Sequence, residues 1–309
     1  MKKFVIKTFL TIVIPVFLFL VAYEITMRRI PNDHSFKSKL WNDKVKDTQI
    51  LVLGSSHFFY GIDPNYFDKP AFNASHVAQT YNYDWFIFDK YFDQMDSLQY
   101  VIIPLSVFSP YGQLGAGFEK VLCKEYAIHY GCRYHRWYEF KYRYHLAFLS
   151  PALFRRAIYS IIMKGFHDIH CDNNGYASTG FDDILDFAAN GRLSAAREIK
   201  LYQTHDTVIY RENMELATDM IQRCQQKGIR VIFVTAPTTP EFYTLLINNQ
   251  VKDLEAIGNN FATYDNVKYI NLLKSPLFDR TDFSDATHLC DSGAKKLTLL
   301  LNDTINNWQ

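Results

Sequence analysis

Four short, continuous apolar runs separated by helical patterns constrain the fold of this 309-residue chain more than any other feature. The runs cover residues 48–54, 100–105, 230–235 and 267–272. The first three lack the polar–apolar alternation of a strand with one face in water, and are typical of parallel strands buried on both faces. The fourth, which includes Lys268 and Asn271, is a weaker example of the same pattern. Helical patterns are predicted at 79–95, 212–227, 241–261 and 292–308. Strands that alternate with helices predict a three-layer α/β fold.

The first 29 residues predict a membrane anchor. Three lysines precede an almost uncharged run at residues 8–23, and Arg28 and Arg29 follow it. This apolar stretch approaches the ~20 residues that cross a bilayer, and no small-residue cleavage motif follows it. We expect a single uncleaved signal-anchor helix, with Pro15 tolerated as a kink and the N-terminus in the cytoplasm. A cleaved signal peptide and a buried core helix are the alternatives.

The anchor predicts where the remaining chain works. We expect residues 30–47, which are polar and charged, to form a tether, and residues 48–309 to form the functional domain. The domain would lie on the extracytoplasmic (periplasmic) side of a bacterial-type cell membrane. Residues 110–210 interrupt the alternation of strands and helices and predict an aromatic-rich helical insertion.

Charge and metal-ligand patterns exclude several function classes. Thirty-three basic and 32 acidic residues give a net charge of +1, so the chain lacks the strong positive field of a nucleic-acid-binding protein. It has no CxxC pair and no histidine-rich cluster. We therefore expect no nucleic-acid partner, no metal and no cofactor.

The insertion carries a basic, aromatic stretch at residues 133–164. One interpretation is a cap that packs over the site and contacts anionic headgroups or a polymer. The other is a helical hairpin whose arginine and tyrosine tips are solvated.

The first apolar run ends in Gly54-Ser55-Ser56. Side chains at the carboxyl end of a parallel strand face the crevice in which α/β sheets bind ligands. A serine on such a turn can be a nucleophile with its backbone N–H free to bind an oxyanion. A helix N-cap or an anion-binding turn is the alternative.

The second motif is Asp285-Ala-Thr-His288, shortly before the last predicted helix. A carboxylate three residues before an imidazole can reach its Nδ1–H, which leaves Nε2 to take a proton from a serine. A solvated turn that caps the helix is the alternative. Together, the two motifs predict a Ser–His–Asp triad.

The segments GSSH at 54–57 and DFSDATHLCDSGAKKL at 282–297 resemble the first and fifth sequence blocks of the SGNH (GDSL-like) hydrolases. The closer likeness is to the membrane-anchored branch, which includes alginate O-acetyltransferase proteins and the lipoteichoic-acid D-alanylation protein. The resemblance covers about 48–110 and 228–307. It implies a flavodoxin-like fold, acyl-ester chemistry, Ser56 as nucleophile, and Asp285 and His288 as its partners.

The resemblance also implies an oxyanion hole. The backbone N–H of Ser56 would contribute to it, and Ala78 stands where the family has a glycine. The family's asparagine after the second strand is missing, so Ser106, or alternatively Ser109, is expected in its place.

Four further residues are predicted to line the substrate crevice: Ser55, His57, His76 and Thr235. The two histidines could instead be structural hydrogen-bonding groups. Thr235 could belong to a loop that caps the next helix.

The residues and the resemblance together predict an extracytoplasmic acyl-ester enzyme. It would be an O-acyltransferase that transfers O-acetyl groups, or an esterase, and would act on a cell-envelope or secreted polysaccharide through a Ser–His–Asp triad. Its partners would be an acylated donor, a carbohydrate or envelope-polymer acceptor, and a membrane-bound O-acyltransferase. The alternative is a non-catalytic polymer-binding subunit of such a system.

Overall fold

The computed structural model describes residues 2–116, 118–132, 141–163, 165–179 and 186–308. Part of the predicted basic, aromatic stretch (133–140 and Lys164) lies outside these residues.

Five parallel strands form one sheet in the order β2-β1-β3-β4-β5. The strands are β1 Ile50–Val52, β2 Ala71–Asn73, β3 Tyr100–Pro104, β4 Arg230–Thr235 and β5 Val267–Asn271. Every residue of β1 and β3 is buried, so the sheet is covered on both faces. This strand order is the flavodoxin-like one. The predicted three-layer α/β fold is confirmed.

Twelve α-helices occur among the described residues. They are α1 Lys2–Thr8, α2 Ile14–Arg29, α3 Asp33–Lys44, α4 Ser56–Phe59, α5 Tyr81–Tyr91, α6 Cys123–Glu125, α7 Pro151–Ile162, α8 Phe187–Thr204, α9 Thr207–Gln226, α10 Pro240–Tyr243, α11 Asn248–Phe261 and α12 Asp291–Asn306. The helix predicted at 241–261 is thus two helices, and strand β2 was not predicted.

The chain forms two compact units. The first, here called the anchor unit, comprises Met1–Ser38 and Glu119–His170. The second, the sheet unit, comprises Lys39–Phe118 and Cys171–Gln309 and holds all five strands. The segment predicted as a single insertion at 110–210 is therefore divided between the two units, because helix α8 and the start of α9 belong with the sheet.

The anchor unit contains the apolar N-terminal helix. Among the described residues, one helix, Ile6–Arg29, is long and apolar enough to cross a membrane. A single π-helical turn, Phe9–Val13, precedes Pro15, which has no backbone N–H to donate.

The segment predicted as a tether contains helix α3. Trp41 on this helix is 1% exposed and packs against Phe72 and Tyr91, with ring centroids 4.7 and 5.5 Å away. The end of α3 is therefore part of the sheet unit's core, because an indole of this size contributes a large apolar area when it is buried.

Candidate active site

The turn after β1 presents Ser56 at the first position of the short helix α4. Gly54 has a φ of 131°, and a Cβ added there would lie 2.7 Å from Pro104 Cγ. Only glycine therefore fits this turn without displacing β3. Ser55 is the N-cap, and its carbonyl accepts the N–H groups of Phe58 and Phe59, each at 3.0 Å.

The loop before α12 presents His288 on a closed turn. Phe283 and Leu289 form an antiparallel bridge, and the N–H of Ser284 donates to the carbonyl of His288 at 2.9 Å. Asn190, on α8, accepts the N–H of Ala286 at 3.1 Å. The turn is therefore held both by its own backbone and by a neighbouring helix.

Ser56, His288 and Asp285 meet in one chain of hydrogen bonds, although 232 positions separate the serine from the histidine. The Ser56 Oγ lies 2.8 Å from His288 Nε2, and His288 Nδ1 lies 2.8 Å from Asp285 Oδ2. In this arrangement an imidazole can take the proton of a hydroxyl while a carboxylate fixes its tautomer.

Asp285 is held as a carboxylate. Burial alone would raise its pKa, but hydrogen bonds from the His288 ring and from two backbone N–H groups outweigh burial, so the pKa lies well below its usual value. Those N–H groups belong to Thr287 and His288, at 2.8 and 2.9 Å from Oδ1. Asp285 can therefore stabilise the imidazolium that forms when His288 accepts a proton.

His57 packs directly against His288, with ring centroids 4.9 Å apart. Burial, and then the charge on His288, lower the pKa of His57 to about 3. His57 is consequently neutral at physiological pH and adds no second positive charge next to the proposed base.

His57 and Thr235, two of the predicted lining residues, and Ser106, the predicted oxyanion residue, line one cavity. The cavity has a volume of about 20 Å³, and Thr287 and Phe242 are also in its wall. This volume is close to that needed for one water molecule. The cavity lies next to the triad, because His57 follows Ser56 in the chain and Thr287 precedes His288.

Ser106 and Ser109 form a reciprocal pair in the loop after β3. Their Oγ atoms are 2.7 Å apart, and each hydroxyl accepts the other's backbone N–H, at 3.1 and 3.2 Å. Of the two, Ser106 is in the cavity wall, so it is the better placed to contact a ligand. Asn213 on α9 fixes this loop by donating to the carbonyls of Ser109, Pro110 and Gly112.

Ala78 has a φ of 58°, the positive value that glycine would adopt without strain. Within the described part of the chain, Ala78 is the one residue other than glycine that has a positive φ. Among the described residues, none accepts a hydrogen bond from its backbone N–H. The backbone at 78 thus keeps the conformation expected for a glycine, at a cost in strain.

Ser55 and His76, which are also predicted to line the crevice, are not in the wall of this cavity, and both lie in the interior. They are 3% and 1% exposed. The N–H of His76 donates to the carbonyl of Gly54 at 3.1 Å, which joins the loop after β2 to the serine turn.

Two buried polar residues that the sequence reasoning missed support the serine turn. Asn73, which is fully buried, donates from Nδ2 to the carbonyls of Phe58 and Ile62, each at 2.8 Å. Asp84, 1% exposed, accepts from Gln79 Nε2 at 2.6 Å; burial raises the pKa of this carboxyl group, while the Gln79 side chain and the nearby Gly54 backbone lower it. In the sequence, Asp84 is a charged residue among the apolar positions of helix α5, and this pattern could have indicated its structural role.

Comparisons with known proteins assign this chain to no family. No family model matches the sequence, and no curated protein matches it. One solved structure that is similar, from Bacteroides fragilis, is described as a "putative acylhydrolase"; it has a TM-score of 0.41 and 10% sequence identity, and the match covers 86% of this chain and 92% of that chain. A likeness at that score and identity gives no information about the function of the site.

Proposed function

We propose that the sheet unit is an acyl-ester enzyme in which Ser56 is the nucleophile, His288 the general base and Asp285 the group that orients it. The observation that carries the proposal is the continuous chain from Ser56 Oγ through the imidazole to the Asp285 carboxylate, with both links at 2.8 Å. A structural serine needs no such partner, whereas a nucleophilic serine does.

In the first half of the reaction, Ser56 Oγ attacks the acyl carbonyl carbon and its proton passes to His288 Nε2. The tetrahedral intermediate collapses when the bond to the leaving oxygen breaks, and that oxygen takes the proton from Nε2. In the second half, a water or sugar hydroxyl gives its proton to Nε2 and attacks the acyl-enzyme. Ser56 then recovers the proton from His288, so the enzyme ends as it began.

The oxyanion that forms in each half needs hydrogen-bond donors. We assign this role to the backbone N–H groups of Ser56 and Ala78, with the Ser106 hydroxyl as a third donor. The backbone conformation of Ala78 supports its part, because a strained positive φ is retained where the surrounding structure requires it.

The small cavity next to the triad favours a short acyl group, and we propose acetyl. A volume of about 20 Å³ accommodates a group about the size of a methyl and excludes a long acyl chain. A donor ester and a carbohydrate or envelope-polymer acceptor then complete the reaction.

We further propose that the chain belongs to the membrane-anchored branch of the SGNH hydrolases and works outside the cytoplasm. The apolar helix Ile6–Arg29 supports an anchored protein. Anchoring favours transfer over hydrolysis, because an acyl donor passed across a bilayer by a membrane-bound O-acyltransferase would be met at the outer face.

The test uses the full-length protein with p-nitrophenyl acetate as donor, with and without a polysaccharide acceptor. Ser56→Ala should abolish release of p-nitrophenol. Ser55→Ala is the matched control, because the Ser55 hydroxyl is buried and accepts or donates no hydrogen bond among the described residues. Equal activity of the Ser56→Ala and wild-type proteins would refute the proposal. Polymer binding without turnover in the wild type would favour the non-catalytic alternative.

A further inference from the structure

We propose that helix α7 of the anchor unit inserts its exposed apolar face into the lipid bilayer, beside the N-terminal helix. The inference rests on the membrane anchor included in the proposed function. It adds a second lipid contact, made by a segment more than a hundred residues farther along the chain.

The exposed face of α7 is formed by isoleucines. Ile158 is 42% exposed, Ile161 is 70% exposed and Ile162 is 69% exposed. Residues three and four apart lie on the same side of a helix, so the three side chains form one continuous apolar surface. Large apolar side chains clustered in this way are unusual on a surface that faces water.

The adjacent side of α7 packs against the N-terminal helix. The rings of Phe154 and Phe19 have centroids 5.8 Å apart, and Ala157 is buried in one cluster with Tyr23 and Met27. The exposed isoleucines are therefore next to a helix whose own apolar side chains are exposed.

The position of this contact along the N-terminal helix indicates lipid as the neighbour. Phe19 lies nine residues before Arg28, which is about 14 Å of helical rise. With Arg28 at the headgroups, Phe19 lies well inside the ~30 Å apolar layer of a bilayer. A helix that packs on the anchor at this level meets lipid on its remaining apolar side.

Two charged groups near this surface, Arg28 and Arg156, are paired within the anchor unit. Arg28 bonds Glu24 at 2.7 Å, and the other carboxylate oxygen of Glu24 accepts the N–H of Leu146 at 3.0 Å. Arg156, on α7 itself, pairs with Asp168 at 2.6 Å. Pairing lowers the cost of bringing charges to the edge of the apolar layer.

The N-terminal end of α7 is also compatible with a low-polarity environment. Ser150 is the N-cap, and its Oγ accepts the N–H of Leu153 at 3.3 Å. Pro151 occupies the first turn and has no N–H that needs a partner. Exposed Arg155 has a long stem that can carry its guanidinium to the headgroups.

The experiment measures quenching of a single added tryptophan by brominated lipid. The full-length protein is reconstituted in nanodiscs of phosphatidylcholine or dibromo-phosphatidylcholine, as Ile161→Trp and, separately, Ile162→Trp. The emission of the wild type, which has four tryptophans, is subtracted. Phe17→Trp, at a 62% exposed position of the N-terminal helix, reports whether the anchor itself is in lipid. Glu215→Trp, on α9 at a side chain that is 70% exposed, is the aqueous control.

We expect the emission at 161, 162 and 17 to fall at least about twofold in brominated nanodiscs, and the emission at 215 to be unchanged. If position 17 is quenched and positions 161 and 162 are not, the inference about α7 is wrong while the anchor stands. Blue-shifted emission at 161 and 162 without quenching would show that a protein, either a partner or a second copy, covers this face, which would also overturn the inference. No quenching at position 17 would overturn the anchor, and the inference about α7 with it.

Discussion

Replacing Asp285 by asparagine should remove nearly all activity and leave the fold intact. Asparagine keeps a carbonyl oxygen that can accept the backbone N–H groups of Thr287 and His288, now bound at 2.8 and 2.9 Å. Its amide nitrogen then faces His288 Nδ1, where the carboxylate oxygen lies at 2.8 Å in the wild type. Because an amide N–H donates, Nδ1 must accept, and the ring proton moves to Nε2.

A proton on Nε2 prevents the imidazole from accepting the proton of Ser56. In a Ser–His–Asp triad this change lowers kcat by about 10⁴, equivalent to ~5 kcal/mol of transition-state stabilisation. We expect a loss of this order in hydrolysis of p-nitrophenyl acetate by the full-length protein. Asp303→Asn, which changes an exposed carboxylate on α12, is the control and should retain full activity.

The same variant has a predicted stability signature. Because the pKa of Asp285 is lowered in the folded state, its charge contributes stability above the unfolded-state pKa of about 3.9, and that contribution is lost as the pH falls toward the folded-state value. The difference in Tm between wild type and Asp285→Asn should therefore shrink below about pH 4. Retention of more than about a tenth of the wild-type kcat by a folded Asp285→Asn would refute the role given to this carboxylate.

Three further substitutions test the supports of the site. Ala78→Gly should relieve the strain of a φ of 58° and raise the free energy of unfolding by about 1 kcal/mol in urea titrations, with activity retained because the backbone N–H remains; a loss of stability would contradict the strain argument. Asp84→Asn should make the stability of the protein less dependent on pH. Burial raises the pKa of Asp84 to about 7, so wild-type stability should fall as the pH rises from about 4 to 7. Melting curves of the variant should lack that decline. Gly54→Ala would place a Cβ 2.7 Å from Pro104 Cγ at a φ of 131°, and should cost roughly 3 kcal/mol or displace Ser56; a variant with wild-type Tm and activity would show that the turn is not constrained in this way.

The strands that the sequence predicted are those with continuous apolar runs. Four of the five strands lie within such runs; β1 has only three residues, Ile50–Val52, but lies within the longer run 48–54, and β4 has the predicted bounds, Arg230–Thr235. Strand β2 has three residues, Ala71–Asn73, follows a proline and ends in asparagine, so no apolar run marks it. The break between α10 and α11 was also missed, because the residues between them include neither glycine nor proline.

The candidate site was predictable in part, because its reacting groups occupy positions that parallel sheets dictate. Ser56 follows strand β1, and the Asp285–His288 spacing indicates the contact that a single turn makes. Their supports were not predictable. Asn73 and Asp84 act through contacts with Ile62 and Gly54 that depend on how the loops around β2 pack, and local sequence does not encode such packing.

Labelling by a fluorophosphonate probe tests the central claim most directly. The probe forms a covalent adduct with a serine hydroxyl only where a base activates it. Peptide mapping by mass spectrometry of the labelled full-length protein should locate the adduct on Ser56, and His288→Ala should abolish labelling. An adduct on another serine, or labelling of Ser56 that persists in the folded His288→Ala variant, would contradict the account.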